Sequence, residues 1–222
     1  MGRSVLVSLE LVRRRILAAG TRAGRADGEV TLVIVSKGQS IESIRSLYDR
    51  GERDFGENRA QELAAKVDHL PKDIRWHFVG PLQSNKVRVV RPIAGLLHSL
   101  DRPELGPAWI KGPGLAPPAL LQVNIGREPQ KHGVDPDAAV RVFDDLVGMG
   151  VDLIGLMAIP PMGADAEATR PNFGEMRRLA DRVAIQHPTR NSLSMGMTDD
   201  FEVAVEEGAT FVRVGRAIFS DK

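Results

Sequence analysis

The chain has 222 residues, 42% hydrophobic and 27% charged, with a net charge of +1 and no cysteine. This composition suits one soluble globular domain with a sizeable core. Its mixed charge gives no electrostatic support to a nucleic-acid or membrane-surface partner. The lack of cysteine excludes disulfides, thiolate metal sites and thiol catalysis.

Residues 4–24 read as a helix, with Ser4 as a candidate cap and Leu9, Val12 and Ile16 recurring on one face. This charged, amphipathic start is unlike a signal peptide, and no apolar run approaches the ~20 residues of a membrane span, so the expected location is the cytoplasm. From residue 31 onward, strand-like runs alternate with helical patterns. Strands are expected at 31–36, 53–55, 75–79, 96–99, 119–125, 152–159, 192–195 and 210–214. Helices are expected near 40–50, 58–68, 84–91, 103–111, 136–148, 169–186 and 199–207, with 111–118 as one Pro/Gly-rich loop. Repeated strand–helix units imply parallel strands, and eight of them imply an α/β fold, a (β/α)8 TIM-type barrel. It would occupy residues 1–222 as one domain, with an extra N-terminal helix. The eighth helix is either missing or supplied by that N-terminal segment. A doubly wound open sheet is the alternative.

The chemistry gathers at the carboxyl ends of these strands, the active face of such barrels. Lys37 closes the first strand, where burial would favour its neutral, nucleophilic amine; its plainer reading is a strand-end lysine whose stem reaches water. Asn58 follows the second strand. His77, Asn124 and Met157 lie toward the ends of the third, fifth and sixth. Strand alternation puts Val33, Val35 and Lys37 on one face, Phe211, Arg213 and Gly215 on another, and Gln122 with Asn124 on a third. If these faces point inward, a lysine, an arginine and two amides converge on the upper barrel layer and call for a polar ligand. The glycine- and hydroxyl-bearing turn of Ser194, Gly196 and Thr198, with Gly215 on the next strand, suits a phosphate. Its plainer alternative is a helix cap at Thr198 or Asp199. His77 also reads as an ordinary core histidine, Met157 as packing, Glu57 as a helix-start charge, and Arg213 as half of a structural ion pair. The five histidines show no metal-ligand spacing.

Several strings then resemble a known family. They are Val35-Ser36-Lys37, Phe55-Gly56-Glu57-Asn58, Trp76 to Lys86, Gly155 to Pro160, Ser194 to Asp200, and Val212 to Phe219. Together they are similar to the pyridoxal 5'-phosphate (PLP) homeostasis proteins, related to the N-terminal domain of alanine racemase. The resemblance runs from about Leu11 to Phe219. It implies a fold-type III PLP barrel with PLP as an aldimine on Lys37. It implies phosphate on Ser194, Gly196, Gly215 and nearby amides, and Asn58 and Arg213 near the ring. His77, Met157, Thr198 and Arg216 complete the expected cofactor site. Arg216 stands where many members carry Thr or Ser, and Thr198 where Ser is commoner. The implied role is to buffer and deliver PLP to PLP-requiring apo-enzymes, without substantial turnover. Racemisation needs two bases, and the only tyrosine, Tyr48, is expected outside the barrel. A short family tail is expected to be trimmed after Phe219, and the lack of a racemase-like second domain favours a monomer. The alternatives are a PLP-dependent amino-acid racemase or lyase, and a phosphosugar-type barrel enzyme whose Lys37 attacks a substrate carbonyl.

Overall fold

The computed structural model describes residues 2–112, 114–161 and 165–219, with the side chains of residues 2–4 left aside. Eight parallel strands close in sequence order, β8 pairing back onto β1. They are β1 (Thr31–Val35), β2 (Asp54–Glu57), β3 (Arg75–Phe78), β4 (Leu96–Leu100), β5 (Ala119–Val123), β6 (Leu153–Ala158), β7 (Ser192–Ser194) and β8 (Phe211–Val214). The helices are α1 (Gly2–Arg22), α2 (Ile41–Tyr48), α3 (Ala60–Val67), α4 (Val87–Val90), α5 (Leu105–Ile110), α6 (Ala139–Gly148), α7 (Arg170–Gln186), α8 (Phe201–Glu206) and α9 (Arg216–Phe219). The expected barrel is therefore present, and the open sheet is not.

The strands form because their residues suit burial on both faces. Outward side chains, among them Ile34, Phe55, Phe78, Leu97, Leu121, Leu156, Leu193 and Val212, join the main core beneath the helices. Inward ones form a separate small cluster of Leu96, Leu120 and Met157 with Phe211 against it. The period-2 alternation of a strand produces this division. Local signals set the helices between them. Ser40 caps α2, its hydroxyl accepting the Ser43 amide at 3.2 Å. Gly38 (φ 70°) turns the chain from β1 toward that cap.

Helix α1 begins at Gly2, ahead of the Ser4 expected to cap it. Leu9, Val12 and Ala19 are buried, and the helix packs on α8 and α9. Ion pairs Arg15–Glu202 and Arg22–Glu206, both 2.7 Å, pin it across α8. The eighth wall position is thus shared by α1 and the single turn of α9. The expected 111–118 loop joins α5 to β5. Residue 113 lies outside the described residues. Trp109 Nε1 donates to the Pro117 carbonyl at 2.9 Å to fasten this loop.

Candidate functional site: a lysine and a buried arginine across one cavity

The carboxyl ends of the strands surround a cavity of about 590 Å³, within the ~300–1,000 Å³ of small-molecule sites. Lys37 and Asn58 line it from just beyond β1 and β2. Thr198 and Asp200 line it from the turn after β7, and Arg213, Gly215 and Arg216 from β8 and just beyond it. Val35, Val79, Ile159 and Pro160 supply apolar walls. Lys37 comes two residues after β1 ends and is exposed, not buried as its place after an apolar run suggested. Among the described residues, no hydrogen bond or ion pair engages its amine.

The backbone on both sides of Lys37 is held from behind. Lys66 Nζ donates to the Ser36 carbonyl at 2.8 Å and to Glu57 and Glu62 at 2.7 Å each. The Gly38 amide donates to Glu62 at 2.5 Å, and the Ser36 hydroxyl to Glu57 at 2.7 Å. Glu57 is therefore a fully buried member of an ion-pair cluster, not a helix-start charge. Burial raises its pKa despite the bonds from Lys66 and Ser36. Next along the chain, Asn58 keeps its buried Oδ1 without a partner among the described residues. A side chain at Gly80 would run into the Asn58 backbone at 2.1 Å, so this close approach requires glycine.

Strand β8 lies directly beside β1, with Val33 paired to Arg213. A Cβ on Gly215 would meet the Val35 carbonyl at 2.9 Å, so this glycine serves the β1–β8 contact as well as the cavity. Arg213 points into the barrel and is 4% exposed. Its guanidinium donates to Ser194 Oγ at 2.6 Å and to the Ala158 carbonyl at 2.9 Å. Burial pulls its pKa down to about 10. Ser194 Oγ also bonds His98 Nδ1 at 2.7 Å, His98 Nε2 bonds His77 Nδ1 at 2.9 Å, and His77 Nε2 bonds Asp54 Oδ1 at 3.0 Å. Burial holds His98 well below the ordinary histidine pKa. For Asp54, burial pushes upward, but hydrogen bonds from Arg75 and His77 prevail and hold it at about 2.

Of the ten expected site residues, Lys37, Asn58, Thr198, Arg213, Gly215 and Arg216 line the cavity. Four do not. Ser194 is fully buried with its hydroxyl spent on His98 and Arg213. His77 lies lower in the bore between His98 and Asp54. Met157 fills the bore with Leu96 and Leu120. Gly196 (φ 90°) lies against α8, where a Cβ would meet that of Ala204 at 2.5 Å. The expected phosphate turn is also partly occupied. The Met195 amide bonds the Phe211 carbonyl at 3.1 Å, and the Met197 amide bonds Asp200 at 2.6 Å. Thr198 Oγ1 accepts the Ala217 amide at 3.4 Å and links the two turns, while Arg216 pairs with exposed Asp199 at 2.5 Å.

The two amides expected to converge with Lys37 and Arg213 bond locally instead. Gln122 donates to the His132 carbonyl at 3.1 Å, and Asn124 to that of Glu128 at 2.8 Å. Arg213 makes no ion pair among the described residues, contrary to its plainer reading. Tyr48 is on the outside, donating to Asp73 at 2.6 Å under the Arg53 guanidinium. Lys66, Glu62, His98 and Asp54 were missed. His98 alternates with inward Leu96 on β4, which is the one sequence signal for it.

Among the described residues, no group of three acidic or histidine side chains could hold a metal ion, and no helix is long and apolar enough to cross a membrane. The fold and cavity define a (β/α)8 barrel that presents one accessible lysine to a small polar ligand. No family model matches the chain. Curated relatives do. It is 40% identical to the pyridoxal phosphate homeostasis protein of Aquifex aeolicus over 96% of both chains. It is also 40% identical to that of Deinococcus radiodurans, over 96% of this chain and 100% of the relative. The chain belongs to the pyridoxal phosphate homeostasis protein family. PipY of Synechococcus elongatus, solved without PLP, superposes with a TM-score of 0.81 at 36% identity, over 94% of this chain and 99% of PipY. PipY with PLP bound gives 0.75 at 33% identity, over 94% and 100%. A lysine decarboxylase of Selenomonas ruminantium, at 14% identity and TM-score 0.74 over 98% of this chain and 61% of the enzyme, shares the fold alone.

Proposed function

We propose that this protein binds PLP on Lys37 as a Schiff base and takes part in PLP homeostasis, holding the cofactor and releasing it to PLP-requiring apo-enzymes. One observation carries the reading. An exposed lysine amine with no partner among the described residues shares a cavity with Arg213 and with Asn58, whose buried Oδ1 also has none among them. The PLP-bound PipY relative, at 33% identity, supports it. PLP supplies an aldehyde for an amine, a phosphate, and a ring that can draw electrons from attached amino acids. Lys37 suits the aldehyde, Arg213 and Asn58 the ring, and Thr198, Gly215 and Arg216 the phosphate end. Ser194, Gly196, His77 and Met157 would support this set from beneath.

The protein is a carrier rather than an enzyme in this reading. Racemisation needs proton removal on one face and delivery on the other, and Tyr48 is bound to Asp73 on the outer side of α2. We further read residues 1–222 as one PLP-binding unit, monomeric and cytoplasmic, where PLP-requiring enzymes work. The test is a visible absorbance spectrum with PLP before and after borohydride reduction, with mapping of the labelled peptide. Reduced cofactor on Lys37, lost in Lys37→Ala with melting unchanged, is expected. Label on Lys86 or Lys131 would overturn the assignment. Rapid conversion of L- to D-amino acids in deuterated water would overturn the carrier role.

A further inference from the structure

Arg213, Ser194, His98, His77 and Asp54 form one continuous hydrogen-bonded chain through the bore of the barrel. It runs from the cavity floor to the start of β2, where Arg75 braces Asp54 with bonds of 2.8 and 2.5 Å. Barrel bores are usually filled with branched apolar side chains. Here five polar residues from β2, β3, β4, β7 and β8 replace them along one line.

With both histidines neutral and Asp54 ionised, the chemistry of the end groups fixes every proton in this line. A guanidinium can only donate, so Ser194 Oγ accepts from Arg213. At the far end Asp54 can only accept, which puts the His77 proton on Nε2 and leaves His77 Nδ1 to accept from His98, so His98 Nδ1 is bare and takes the Ser194 hydroxyl proton. His98 therefore carries its proton on Nε2 and donates to His77 Nδ1. His77 likewise carries its proton on Nε2 and donates to Asp54. A second proton on His98 would have to sit at Nδ1, against the Ser194 proton and in a fully buried ring. In that state a cation at one end and a carboxylate at the other are joined by three groups whose dipoles all point the same way.

We infer that Asp54, His77 and His98 are positioning residues, which act through Ser194 to hold the Arg213 guanidinium in place at the floor of the cavity. The inference rests on the PLP reading for its consequence, since Arg213 is the group there that meets the ring. Among the described residues, two other groups bear on the guanidinium. One is the Ala158 carbonyl. The other is the charge of Asp200, which lines the same cavity. Without the chain, one guanidinium arm would lose its partner and the rotamer its restraint.

Two measurements on the full-length protein test this. Nitrogen-15 NMR of the imidazoles should show both His98 and His77 as Nε2–H tautomers. A neutral His77 with its proton on Nδ1, or a neutral His98 with its proton on Nδ1 beside a neutral His77, breaks the chain and the inference with it, whether or not PLP binds. The second is a double-mutant cycle read by PLP titration. Asp54→Ala should weaken PLP binding about tenfold, and Asp54→Asn, which keeps an acceptor for His77, about twofold. In an Arg213→Met background, Asp54→Ala should bring no further loss. The same tenfold loss in that background would mean Asp54 acts on the fold in general, and the positioning role would fail. A wild-type chain that takes up no PLP sinks the cofactor reading and the role together. One that takes up PLP while the two losses simply add sinks the positioning role alone.

Discussion

The two buried polar clusters beside the cavity handle charge in opposite ways. Behind β1 and β2, Lys66 sits in direct contact with two carboxylates, Glu57 and Glu62. Inside the bore, Arg213 touches no carboxylate among the described residues and reaches Asp54 only through Ser194, His98 and His77. The first cluster depends on short-range attraction between full charges, which suits a backbone anchor for Lys37. The second depends on bond direction, which suits holding a side chain at a set angle. Removing a charge should therefore do most damage behind β1, and removing a neutral link should do most damage in the bore.

Lys66→Met tests the first half. It leaves two carboxylates, one fully buried, without their cation, and removing one partner of a buried pair costs about 3–5 kcal/mol. A denaturant titration should show a loss of that size, and a loss below about 1 kcal/mol would mean that Glu57 is already protonated in the wild type. Ser194→Ala tests the second half without changing any charge. It strands His98 Nδ1 and one Arg213 nitrogen, each worth about 1–3 kcal/mol when buried unpaired. Ser194→Cys, a near isostere with a weak donor, should recover only part of that.

Acid should separate the clusters in order. Asp54 has a folded pKa of about 2 against an ordinary 3.8. Its contribution is complete above pH 4 and is lost as pH falls toward 2, about 2 kcal/mol in all. Glu57 has the opposite sign. Its raised pKa makes the charged form costly, so falling pH relieves that cost before Asp54 begins to protonate. Stability measured against pH should fall between 4 and 2 in the wild type, and less steeply in Asp54→Asn. The smallest effect is expected at the rim. The Arg216–Asp199 pair is 73% exposed on both sides, and Arg216→Ala should change stability by less than about 0.5 kcal/mol. Gly215→Ala, which presses on the Val35 carbonyl, should weaken PLP binding more than Arg216→Ala does. The reverse order would make Arg216 the main phosphate ligand.

The order of elements was legible in the chain, mostly to within a residue or two. Eight apolar runs at strand length, separated by helical patterns, leave few parallel arrangements other than a closed barrel. Alternation also put Lys37, Arg213 and Gly215 on the cavity side, because side-chain direction along a strand follows from local geometry. What the strand pattern could not supply was which inward side chains meet across the bore. His98 on β4 reaches Ser194 on β7, three strands away around the sheet. That contact depends on strand tilt and relative height, which a one-dimensional pattern does not carry. For the same reason Ser194 and His77 looked like cavity residues and proved to lie beneath it. The exposure of Lys37 was also a tertiary outcome. The Lys66 cluster engages the backbone on both sides of it and leaves the amine facing the cavity.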